Sequence, residues 1–193
     1  MRQVPAARPV PFLLTPVDRE APERARRLRA LGLGGLPDPV FDAFADLLAE
    51  TTGSPFALVN FVDEHQQFLA GLRTPGGRSA LLLGAGTGAG ASSPGRRMGR
   101  ERGYCPYVVV RRRALVLEDV RDFPRFAGNP LVDEVGVRTY LGAPVLDRTG
   151  IALGTVCVID TEPRPWGRAG LETIKSRAAE LAAEIRRREA DFL

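Results

Sequence analysis

Two apolar, β-rich runs, Tyr140-Leu-Gly-Ala-Pro-Val-Leu146 and Ile151-Ala-Leu-Gly-Thr-Val-Cys-Val-Ile159, are separated only by Asp147-Arg-Thr-Gly150. So short a polar turn between two strands makes an antiparallel hairpin. The same holds for Phe56-Ala-Leu-Val-Asn-Phe-Val62 and Gln67-Phe-Leu-Ala-Gly-Leu72, which flank a polar turn containing His65. Arg113-Ala-Leu-Val-Leu-Glu118 reads as a further strand. Pro144 removes a ladder donor and predicts a bulge or an edge at its position.

Helices bracket these strands instead of alternating with them. Pro22 opens a helix that runs to Leu31 and stops at Gly32, Gly34 and Gly35. Asp38 is the expected N-cap of a second helix, with Val40, Phe41, Phe44, Leu47 and Leu48 as its apolar face and Gly53 as its stop. A long helix is expected from about Pro165 to the C-terminus. This order predicts an α+β fold with an antiparallel sheet. Residues 1–20 hold four prolines and read as an extended arm, leaving 21–193 as a single domain. Within it, nine of the 28 residues from Gly76 to Gly103 are Gly, and Arg96, Arg97, Arg100 and Arg102 follow one another closely. That insert is expected to be a mobile surface loop.

At 193 residues the chain has room for one ordinary domain. No apolar stretch reaches the roughly 20 residues of a membrane span, and prolines interrupt any signal-like N-terminus. The expectation is a cytoplasmic protein without membrane contact. Basic residues number 27 against 23 acidic ones, and all but Lys175 are Arg. The excess is spread along the chain, which makes nucleic acid an unlikely partner; Arg-mediated binding stays as an alternative, recognisable by steep salt dependence. Arg96–Arg102 and Arg111–Arg113 stand beside the acid-rich stretch 114–134, a pattern expected of solvated faces in mutual balance.

Two cysteines and one histidine cannot fill a four-ligand structural zinc site. A Ser-His-Asp arrangement would have to recruit His65 from its turn. No metal and no cofactor is therefore expected. Leu83-Gly-Ala-Gly-Thr-Gly-Ala89 imitates a dinucleotide fingerprint, but the Gly, Ser and Pro after it deny the helix that would hold a pyrophosphate.

Four segments together are similar to the GAF domain family. Glu118–Val132 carries D-x-R-x-x-P-R-F-x-x-N-P-L-V, Val137–Val145 and Leu153–Asp160 resemble the family's two most recognisable strands, and Pro55–Phe68 resembles its first hairpin. The resemblance implies a six-stranded antiparallel sheet flanked by helices, with the N- and C-terminal helices packed together on one face and a small-molecule pocket on the other. The cyclic-nucleotide-binding members use an Asn-Lys signature; Lys175, in the last helix, is the only lysine here. With no output domain after residue 193, the expectation is a free-standing, non-enzymatic sensory module that binds a small molecule or a signalling protein. Phe61, Tyr107, Phe123, Phe126 and Tyr140 are the expected apolar walls, with Arg138 as a charge-assisted donor. Asp119, Arg125 and Asn129 are expected to be structural.

The alternative is a thiol-dependent enzyme, since the GAF family includes free methionine sulfoxide reductases. Cys105 would be its nucleophile, activated by Arg100 and Arg102, whereas Cys157 reads as a buried strand residue. Bilin attachment is not expected, because Cys105 is followed by Pro106 rather than His. Haem would have only His65 as an axial imidazole. Finally, Leu171, Ile174, Ala178, Leu181, Ile185 and Phe192 form a heptad-like stripe. It predicts a homodimer through the terminal helices.

Overall fold

A computed structural model describes residues 16–77 and 96–191. The dinucleotide-like run, Phe192 and most of the proposed arm lie outside them. Among the described residues the α-helices and strands are, in order, α1 (Ala21–Ala30), α2 (Pro39–Thr52), β1 (Phe56–Val62), β2 (Gln66–Arg73), β3 (Arg97–Gly99), α3 (Cys105–Arg111), β4 (Leu115–Leu117), α4 (Pro124–Ala127), α5 (Pro130–Glu134), β5 (Thr139–Leu146), β6 (Ala152–Asp160) and α6 (Gly167–Asp191), with short 3-10 turns at Pro75–Gly77 and Val120–Asp122. The strands form one antiparallel six-stranded sheet in the order β3-β2-β1-β6-β5-β4. Both expected hairpins are present, and the first strand of one joins the last strand of the other in the central β1–β6 pair.

Every residue of β1 and β6 is buried, because helices cover both faces of the sheet. Alternation sorts the side chains. Ala57, Val59 and Phe61 of β1, with Leu141, Ala143 and Val145 of β5, pack against α1, α2 and α6. Phe56, Leu58 and Val62, with Tyr140 and Cys157, pack against α3, α4 and α5. The α2 backbone approaches the sheet closely at Gly71, where an added Cβ would lie 2.1 Å from the Phe41 carbonyl oxygen.

The terminal helices share one face, tied by an Arg27–Glu189 ion pair of 3.2 Å. Ile174, Ala178, Leu181, Ala182 and Ile185 are buried against the sheet of their own domain. Ile174, Ala178, Leu181 and Ile185 of the stripe read as a dimer seam are thus core, where each fully buried large aliphatic side chain contributes on the order of 1.5–3 kcal/mol, while Leu171 is only half-buried. Arg188, which interrupts the stripe, pairs with Asp38 and Glu184, and its guanidinium lies 4.8 Å from the centre of the Phe41 ring.

Local rules account for most of the ends. Asp38 caps α2 by accepting from the Val40 amide at 2.8 Å. Of its expected apolar face, Phe41 and Leu48 are buried, but Val40 and Leu47 are exposed and Ala45 and Ala49 take their place. Pro144 lies beyond the last β4–β5 pair, Leu115–Gly142, and next to a register shift at Val145/Leu146, so both an edge and a bulge accommodate it. In the β5–β6 turn, Asp147 Oδ1 accepts from the Thr149 amide (2.8 Å), the Thr149 hydroxyl (2.6 Å) and the Ile151 amide (3.1 Å).

Two elements correct the sequence reading. The end of the Gly/Arg-rich insert is not loop: Arg97–Gly99 form edge strand β3 against Gln66–Phe68, with Met98 buried. Helix α3 was not anticipated, since the β-branched run Val108–Val110 disfavours helix. Pro106 in its first turn and burial of Cys105 through Val109 favour it instead.

Candidate functional site

The chain's two cysteines meet where the sheet packs beneath α3. Cys157 projects from β6, and Cys105 stands at the first position of α3. Their sulfur atoms are 3.6 Å apart, and the Tyr140 hydroxyl lies 3.6 Å from Cys105 Sγ. Tyr140 reaches them across Gly142, the β5 residue paired with Cys157.

Two polar side chains complete the floor. Asn60 of β1 and Thr155 of β6 are register partners, and both are fully buried. Asn60 Nδ2 donates to Gln67 Oε1 at 2.8 Å, while Gln67 Nε2 donates to the carbonyls of Gly99 and Arg102, each at 2.7 Å. Asn60 Oδ1 and Thr155 Oγ1 have no hydrogen-bond partner. Buried polar atoms left this way are costly, on the order of 1–3 kcal/mol each, and mark places where a fold serves something besides packing.

Electrostatics divide the thiols. A hydrogen bond from Cys157 holds the Cys105 thiol below its ordinary range, against the opposing effect of burial and with help from the Tyr140 hydroxyl. The same hydrogen bond, with burial, raises Cys157. Burial, with the neighbouring thiols, also raises the Tyr140 phenol. The expected activation of Cys105 by flanking arginines is corrected: Arg100 binds Asp18 at 2.6 Å and the carbonyl of Asp63 at 3.0 Å, and Arg102 binds Glu134 at 2.7 Å.

The space over this floor is small. A cavity of about 20 Å³ is lined by Leu58, Met98, Gly103, Tyr104, Cys105, Leu131, Tyr140, Cys157 and Ile159. That is room for about one water molecule. Tyr104 closes it edge-on to both Phe126 and Tyr140, with ring centres 5.7 and 5.1 Å away. Tyr107 stacks outside on Phe126 at 5.0 Å. Asn129 fastens the cap: its Oδ1 accepts from the Gly103 and Leu131 amides, both at 3.1 Å, and its Nδ2 donates to the Gly103 carbonyl at 2.8 Å.

Of the expected wall residues, Tyr107, Phe126 and Tyr140 come together on this face. Phe61 does not: it points through the opposite face, 5.6 Å from the Phe41 ring, because it alternates with Asn60 and Val62. Phe123 is 41% exposed, and Arg138 is held outside the cavity by two bonds to Asp119. Arg125 lies over the Tyr107 ring at 4.8 Å. Asn60, Thr155 and Gln67 were missed, although their signal was present: polar residues at inward-facing positions of otherwise apolar strands.

A second depression is open to solvent. Between α6 and the β4–β5 edge runs a groove of about 520 Å³ with Ala143, Pro144, Leu171, Ala178 and Ala182 on its floor and Arg112, Arg113, Lys175 and Arg186 around it. Among the described residues no carboxylate lines it, although Glu20 pairs with Arg112 at 3.6 Å and Glu172 with Lys175 at 3.5 Å. Among the described residues no group of His, Cys, Asp and Glu could hold a metal ion, and no helix is long and apolar enough to cross a membrane.

An antiparallel sheet with terminal helices on one face and a helix-capped cavity on the other defines the class of α+β domain to which this chain belongs. Residues 37–185 match the model of the GAF domain, and the chain belongs to that family. It is 30% identical over 146 residues to a cyclic di-GMP phosphodiesterase of Pseudomonas aeruginosa, a match covering 74% of this chain but only 22% of that protein. The chain thus spans about a fifth of that relative's length. The GAF domain of an Acinetobacter phosphoenolpyruvate-protein phosphotransferase superposes with a TM-score of 0.58 at 16% identity, covering 90% of this chain and 98% of the other. A free methionine-R-sulfoxide reductase of Neisseria meningitidis, solved with its substrate, gives 0.58 at 15% identity, covering 94% and 99%. GAF membership supports a sensory or regulatory module in general.

Proposed function

We propose that the chain is a non-enzymatic regulatory module whose input is a partner protein rather than a metabolite held on the sheet face. The observation that carries this reading is the small size of the cavity, about 20 Å³ beneath Tyr104, where small-molecule sites ordinarily offer about 300 Å³ or more. The open groove beside α6 supports it, because four cations around an apolar floor suit an acidic protein surface. A homodimer belongs to the same proposal in changed form: α6 would meet a second copy through its outward residues, since Ile174, Leu181 and Ile185 are inside. A thermal-shift panel of nucleotides, cyclic di-GMP and amino acids tests the reading. No saturable stabilisation is expected, and a melting temperature that climbs with ligand concentration as mass action requires would overturn it.

The second reading, a thiol-dependent sulfoxide reductase, is favoured by the 3.6 Å approach of Cys105 and Cys157. It requires consumption of free methionine sulfoxide in the presence of a dithiol reductant and loss of turnover in Cys105→Ser. Absence of turnover removes it.

A further inference from the structure

The two thiols are the buried nucleophilic groups that the regulatory reading leaves unused, and three observations converge on them. Cys105 and Cys157 are 52 positions apart in sequence, yet their sulfurs are 3.6 Å apart, with no other cysteine in the chain. A disulfide needs about 2 Å, so closure requires the sulfurs to approach by little more than a bond length. The cavity they border has room for about one water molecule, which limits any oxidant that reaches them to the smallest molecules. Asn60 Oδ1 and Thr155 Oγ1, buried and unpartnered, stand beside the cavity on the same sheet face, Thr155 two residues before Cys157 on β6, and offer a protic guest at the thiols some of the hydrogen bonds it would lose on leaving water.

We propose that Cys105 and Cys157 are a peroxide-reactive dithiol, oxidised by hydrogen peroxide to an intramolecular disulfide. The Cys105 thiolate attacks one peroxide oxygen; the O–O bond breaks, and the departing hydroxide takes up a proton and leaves as water. Cys105 is then a sulfenic acid. Cys157 sulfur attacks Cys105 sulfur, the S–O bond breaks, and the second oxygen leaves as water with the Cys157 proton. Two thiols and one peroxide become one disulfide and two waters, a two-electron oxidation. Cys105 is suited to the first step because the Cys157 hydrogen bond favours its thiolate. The new bond ties the start of α3, part of the cavity's cap, to β6 of the sheet. Peroxide would thus fasten α3 to the sheet. The proposal goes beyond the regulatory reading and stands whatever partner the groove takes.

The experiment is intact-mass analysis of the full chain. Reduced protein is treated with hydrogen peroxide, quenched with catalase, then unfolded in iodoacetamide. Untreated protein is expected to take up two carbamidomethyl groups, one per cysteine. Treated protein is expected to take up none, to be lighter by two hydrogens, to stay unlinked to a second chain and to recover both thiols after dithiothreitol. Its melting temperature should rise, on the order of 10 °C for a bridge enclosing a loop of this length. In Cys157→Ser, with folding checked by circular dichroism, dimedone should label Cys105. Should that variant not fold, Cys157→Ala takes its place, and the wild-type masses decide in either case. Two alkylated cysteines after treatment, one over-oxidised cysteine beside a free one, or a disulfide-linked pair of chains would each overturn the proposal.

Discussion

The Tyr140 hydroxyl lies over Gly142, so near that a Cβ on Gly142 would sit 2.2 Å from the phenolic oxygen. The missing side chain is what lets the phenol reach Cys105. Gly142→Ala should therefore displace the Tyr140 ring from a packed core and cost about 1–3 kcal/mol. Urea denaturation measures it; Tyr140→Phe, which removes only the hydroxyl, should cost about 1 kcal/mol.

A second prediction concerns the stripe on α6. Ile174 and Leu181 are both fully buried, so Ile174→Ala should cost about 2–5 kcal/mol through transfer and cavity terms. The double variant Ile174→Glu, Leu181→Glu should lose its fold by circular dichroism. A folded double variant would contradict the placement of α6.

The cap gives a third. Asn129 joins the approach to α3 to the start of α5 by three hydrogen bonds from one buried side chain. Asn129→Ala strands the Gly103 and Leu131 amides, and the loss should be about 1–3 kcal/mol. Amide exchange at Tyr104–Val109 should quicken more than exchange in β1 and β6, because the defect is local.

The hairpins were legible in the sequence because a four-residue turn between apolar runs leaves the chain few alternatives. Asp38 and Asn129 were legible as caps or turns for the same local reason. The cysteine pair was not, since nothing local to Cys105 or Cys157 tells that β6 and α3 meet. Phe61 was assigned to the wrong face although its parity with Ala57 and Val59, against Leu58 and Val62, contained the answer. β3 was hidden because its three residues owe their strand conformation to Gln66–Phe68 and not to their own propensities. The small cavity follows from tertiary packing of Tyr104 and Phe126, which residue spacing does not encode.

Acid should destabilise the fold through three carboxylates. Hydrogen bonds from Arg138 hold Asp119 below the usual carboxylate range. Burial works to raise Asp147 and Asp38, but bonds from Thr149 and Arg27 outweigh it for the first, and bonds from Arg188 and Val40 for the second. A depressed carboxylate contributes stability that is complete above its unfolded value, about 4, and is lost as pH falls through the folded value. The urea midpoint should hold steady from these groups above pH about 5 and fall below about 4. Asp147→Asn, which leaves Arg27 without its 2.6 Å partner, should lose roughly 3 kcal/mol near neutral pH and show a shallower acid slope.

The central claim, that of the proposed regulatory function, is that the sheet-face cavity is too small for a metabolite, so that a partner acts through the protein surface. Native mass spectrometry of protein purified without denaturation tests it most directly. The predicted result is a species at the chain mass of 20.9 kDa, or an integral multiple of it, with no adduct that disappears on unfolding. A stoichiometric small molecule that is retained in the native spectrum and released on denaturation would contradict the account.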